Sequence, residues 1–88
     1  MDNAWSIEDA PSVGILLLDY CEELQHDPMF KDVQTQVSVR DQQNGTAIVW
    51  GAITGPPEVV SEFARRVNAY VREAIQDGVG KYRGASEA

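Results

Sequence analysis

Reactive chemistry in this chain would have to start at Cys21, its one cysteine, or His26, its one histidine. A thiol and an imidazole within hydrogen-bond reach make a thiolate nucleophile. Five residues separate the two here, and on a helix that offset turns the side chains about 140° apart. Cys21 also falls on an apolar face, where a thiol packs as a small hydrophobe. Carboxylate pairs offer little more. Glu22 and Glu23 diverge by about 100° on a helix. Asp19 and Glu23, one turn apart, share a face, yet a calcium or magnesium site needs further oxygen ligands in a shaped loop. Gly51, Gly55, Gly78, Gly80 and Gly84 have neither dinucleotide-binding nor P-loop spacing. A single cysteine forms no intrachain disulfide and no zinc cluster. The sequence therefore implies no catalytic residue, no metal and no cofactor, and the expectation is a non-enzymatic protein.

The elements that must position these residues read as follows. The lead-in, residues 1–10, is expected to be irregular and carries Trp5 and Ile7. Pro11 suits the first turn of a helix. Val13, Leu16, Leu17, Tyr20, Cys21 and Leu24 then recur at spacings of three and four, which predicts a helix over 11–25 that ends before Pro28. Val33, Thr35, Val37 and Val39 alternate with Gln34, Gln36, Ser38 and Arg40, a strand with one wet face. Asn44 and Gly45 supply a hairpin turn, and Thr46 to Thr54 returns as a second strand. Thr54-Gly55-Pro56-Pro57-Glu58 starts a second helix over 57–77, with Val59, Val60, Phe63, Val67, Tyr70, Val71, Ala74 and Ile75 on one face and Gly78 as its cap. Residues 79–88 read as a flexible tail. The expectation is one α+β domain over 1–88, a small α-β-β-α unit whose antiparallel hairpin carries two helices packed on one face.

Composition narrows the class of function. The chain has 88 residues, 43 % hydrophobic and 24 % charged, with fourteen acids against seven Lys and Arg and a net charge of −7. Such a surface opposes affinity built on phosphate neutralisation or on anionic lipid. Arg65, Arg66, Arg72, Lys81 and Arg83 could touch phosphates, but the surrounding field is repulsive, so no direct nucleic-acid binding is expected. Met1 to Trp5 carry no base, and the longest apolar run, Ile15 to Leu18, falls far short of the roughly 20 residues of a membrane span. The expectation is a cytoplasmic protein with no membrane contact.

Charge is also segregated. Residues 1–30 hold seven acids and no Lys or Arg, whereas residues 65–83 hold five bases against two acids. Ile15 and Leu18 project off the first helix beside Glu22, and apolar groups lie on both sides of the second strand, so some apolar area should stay exposed and mark an interface. Ile15, Leu18, Asp19, Glu22 and Glu23 are the candidate partner-binding residues, and Ile48 and Trp50 the candidates for self-association into a homodimer. A row of carboxylates with apolar anchors resembles a phosphate backbone. That predicts an inhibitor, of the kind phages encode, occupying a basic, nucleic-acid-binding surface on a larger protein. The alternative is a structural subunit that pairs only with itself.

Asp27-Pro28, Val37-Ser38-Val39, Asn44-Gly45-Thr46-Ala47-Ile48-Val49-Trp50-Gly51 and Ile53 together resemble the BON domain, a small α+β module associated with membranes and envelopes. The resemblance covers about half the chain and implies a closing strand at Val71 to Ile75, where the periodicity predicts helix.

Overall fold

A computed structural model describes residues 3–75 and 81–87. The order of elements is β1 (Asn3–Asp9), α1 (Pro11–Gln25), a 3-10 turn (Pro28–Phe30), β2 (Gln34–Asp41), β3 (Ala47–Thr54), α2 (Pro57–Tyr70), a π-helical turn (Val71–Ile75) and β4 (Lys81–Arg83). The strands form one antiparallel sheet in the order β2-β3-β1-β4. Each helix therefore links two strands that flank a third, the split β-α-β arrangement of ferredoxin-like folds. The α+β class and the one-sided helical layer agree with the sequence reading.

Two terminal strands complete the sheet. The lead-in is not irregular: Asn3, Trp5 and Ile7 are buried while Ala4, Ser6 and Glu8 face outward, the period of a strand. It adds to β3 with Trp5 opposite Gly51 and Ile7 opposite Val49. The indole lies against Gly51 so closely that a Cβ there would sit 2.3 Å from the ring. At the other end, Ser6 pairs with Arg83 and Glu8 with Lys81, so part of the expected tail is strand β4. Residues 84–87 are then held by two asparagines. Asn68 donates to the Ala85 carbonyl and the Glu87 carboxylate, and its oxygen accepts from the Tyr82 hydroxyl and the Ala85 amide. Asn3 exchanges two hydrogen bonds with Ser86. The expected cap Gly78, the last residues of the 57–77 helix and the start of the tail lie outside the described residues.

The helices form where the periodicity placed them, with a shifted face on the first. Gly14, Leu17, Cys21 and Leu24 bury against the sheet. Gly14 is on that stripe because a Cβ would come 2.5 Å from Val49 Cγ2. Leu16 is consequently turned outward and is 50 % exposed, contrary to its expected place in the core. Tyr20 stacks on Tyr70 at 4.2 Å between ring centroids, and Phe30 meets Phe63 edge-on, closing α1 and α2 over the sheet. Val71–Ile75 continues α2 as helix, so the closing strand that the BON resemblance implies there is not formed. The hairpin turn uses one positive φ, at Gly45, and Asn44 instead accepts hydrogen bonds from the Thr46 amide and hydroxyl.

Gly51→Ala must displace the Trp5 indole or the backbone of β3, and should lower stability by about 2–3 kcal/mol in urea unfolding. Trp5→Phe removes an indole N–H that has no partner among the described residues, but it also removes the ring atoms that lie against Gly51 and leaves a cavity, and should cost about 2 kcal/mol. Asn68→Ala should cost about 2 kcal/mol and speed hydrogen exchange at the Ala85 and Ser86 amides, with the β2–β3 amides less affected.

Candidate interaction surfaces

Three exposed surfaces follow from a sheet covered on one side. The first is the solvent face of α1. Ile15, Asp19, Glu22 and Glu23 all project there, and Ile15 is 56 % exposed. Leu16 joins them, a residue the sequence reading assigned to the interior. Leu18 does not project freely: it is half-buried and packs against the core. It borders a shallow groove between α1 and β2 with Cys21, Glu22, Gln25, Thr35 and Val37.

The second surface is the outer edge of β2. Val37 and Val39 share the helix side of the sheet with Val49 and Gly51, their neighbours on β3. The sequence pattern put them on a half-buried face, yet they are 43 % and 58 % exposed. The helical layer covers the central strands and stops short of this one. Their alternation was legible; their position at an edge was not, because nothing in a single strand states how many neighbours it has.

The open face of the sheet is the third. Across it run two rows, Ser38-Trp50-Ser6-Arg83 and Arg40-Ile48-Glu8-Lys81. Trp50 is 38 % exposed between two serines, and Ile48 is half-buried beside it. Lys81 lies 3.8 Å from Glu8, while Arg40 and Arg83 make no ion pair among the described residues. Three bases thus meet one acid on this face of an acidic protein. The bases of α2 are differently placed. Arg65 and Arg66 both hold Glu62, at 2.6 Å and 2.9 Å, and hydrogen bonds from Arg65 and then Arg66 bring its carboxyl down to about 2. Arg66 also reaches Asp27 at 3.9 Å and lies over the Phe30 ring. Arg66 thus ties α2 to the turn after α1, whereas Arg65 pairs within its own helix.

The candidate reactive group is inside. Cys21 is 3 % exposed, and burial pushes its thiol up to about 12, whereas His26 is on the surface. Among the described residues no group of three or more His, Cys, Asp or Glu is arranged to hold a metal ion, and no helix is long and apolar enough to cross a membrane. Compared with known protein families, curated proteins and solved structures, the chain matches none.

A buried thiol held in its neutral form reacts only as fast as the core opens. Alkylation of Cys21 in the native protein should be at least about a hundredfold slower than in the urea-unfolded chain, read by mass spectrometry at neutral pH. Native alkylation at the unfolded rate would show that the α1–sheet interface opens freely.

Proposed function

We propose that this protein is a non-enzymatic binding module that sets the solvent face of α1 on the basic, nucleic-acid-binding surface of a larger protein and inhibits it. One observation carries the reading. Ile15 and Leu16, each at least half exposed, stand beside the exposed carboxylates Asp19, Glu22 and Glu23 on a single helix face. Apolar groups left in water on a rigid helix are suited to being covered, and carboxylates around them suit a cationic partner. The absence of a base anywhere in α1 keeps that face of one sign.

The open face of the sheet supports a second reading. Trp50, bordered by small residues and by Arg40, Lys81 and Arg83, has the aromatic centre and cationic rim on which single-stranded nucleic acid stacks. The −7 charge of the whole chain opposes this approach.

The Glu22→Ala, Glu23→Ala double variant separates the two. Against a partner captured on the immobilised wild-type protein, it should associate roughly five- to tenfold more slowly and show a flatter salt dependence. Its melting temperature should be nearly unchanged, because both side chains are exposed. Equal rates and salt slopes for the two proteins would refute docking through α1. Quenching of Trp50 fluorescence by a single-stranded oligonucleotide, lost in Trp50→Leu, would favour the second reading.

A further inference from the structure

The outer edge of β2 is free over a definite length. Gln42 donates its backbone N–H to the Thr46 carbonyl at 2.9 Å, which fixes the phase of the ladder. Gln34, Gln36, Ser38 and Arg40 therefore aim their backbone groups at β3, and Thr35, Val37, Val39 and Asp41 aim theirs outward. Before Thr35 the edge is closed, since the Gln25 side chain donates to the Val33 carbonyl. After Asp41 the chain enters the turn. Among the described residues no strand covers the stretch between. Its midpoint is Ser38.

The side chains are arranged about the same point. Antiparallel pairing of two β2 strands with Ser38 opposite Ser38 sets Val37 against the partner copy's Val39 on the helix side. On the open side Arg40 meets Gln36, and on the helix side Asp41 meets Thr35, so no like charges stand directly opposite one another. Every outward N–H and C=O from Thr35 to Asp41 finds a partner at once. Shifting the register by two residues one way would put Val37 on itself, leave Val39 facing Thr35 and bring Asp41 to Val33, whose carbonyl is already taken; shifting it the other way would put Val39 on itself and set Val37 against Asp41. Leu18 borders Val37 in the α1–β2 groove, and Ile15 stands one turn before it on α1. The valines, half in water in one chain, become the centre of a shared apolar seam. The open sheet face is less suited to self-pairing, because stacking it on itself would oppose Arg40, Lys81 and Arg83 to their copies.

We propose that two copies of this chain pair through β2, antiparallel and centred on Ser38, to form a two-fold dimer with one continuous eight-stranded sheet. This does not depend on the docking role of α1. It differs from that role in the sign of its salt response: two chains of charge −7 repel one another, so salt strengthens the dimer and weakens the contact with a cationic partner.

Sedimentation of the pure chain tests the proposal. The wild type should run at twice its 9.7 kDa mass in the micromolar range, with dissociation favoured at low salt. Val39→Lys and Val37→Pro should be monomeric with native circular dichroism, since the first side chain is exposed and the second N–H points away from β3. Ser38→Cys should cross-link on mild oxidation and Gln36→Cys should not, because only the residue on the axis meets itself. A wild type that stays monomeric up to high micromolar concentration in high salt, or a dimer that survives both Val39→Lys and Val37→Pro, would overturn it.

Discussion

The sheet depends on one close approach, that of the Trp5 indole to the backbone of β3 at Gly51. Trp5 heads the largest fully buried side chains, and its ring can sit this close to β3 only because the facing residue has no Cβ. That contact seats β1 beside β3 and gives a two-stranded hairpin a third member, without which a hairpin is marginal in water. With β1 in the middle, β3 has neighbours on both sides and β4 can add to the far edge. The indole N–H, without a partner among the described residues, is the cost of placing a large aromatic there, and the apolar contact it makes outweighs one lost hydrogen bond.

Covering one side of such a sheet distributes the chain's charges between two surfaces. The acids of α1 lie over the helical side, while Arg40, Lys81 and Arg83 lie on the open side. Arg65 pairs with Glu62 on the surface of α2 and Arg66 with Glu62 and Asp27, so both offset acids locally and leave the α1 face negative. A net charge of −7 describes neither surface well. Long-range approach is governed by the total, but a docked partner meets only the face it covers.

The parts of this architecture that were legible in the sequence are those encoded locally. Pro11 and Pro57 opened the helices where they stand, and the valine alternation and Asn44-Gly45 marked the hairpin. What the sequence left hidden is set by neighbours. Asn3 to Asp9 alternates as a strand, but Trp5 and Ile7 alone could not say which edge they join. Lys81–Arg83 has only Tyr82 as its inward residue, too little for a period. Leu16 was misplaced because the helix face toward the sheet is marked by a glycine, and a search for large apolar groups rotates the stripe away from Gly14. Among the candidate partner residues, Ile15, Asp19, Glu22 and Glu23 are where the periodicity put them. Leu18 is drawn inward because it turns from the solvent face of α1 toward the groove beside β2 and packs against the core.

The two edges of the sheet are unequal, and the inequality decides what kind of assembly the fold allows. β4 is three residues long, carries Lys81 and Arg83, and runs into a segment that Asn3 and Asn68 fasten down. Short length and charge are the ordinary ways of making an edge unattractive. β2 is eight residues long, holds one base and one acid at its far end, and presents two valines. A sheet with two receptive edges would add copies at both and grow into a fibre. With one blunted, pairing through the other is isologous and closes on itself after two chains. The asparagine contacts hold the segment after β4 against Asn3 and α2, so β4 stays a short, charged strand among the described residues and β2 is left as the longer, less charged edge.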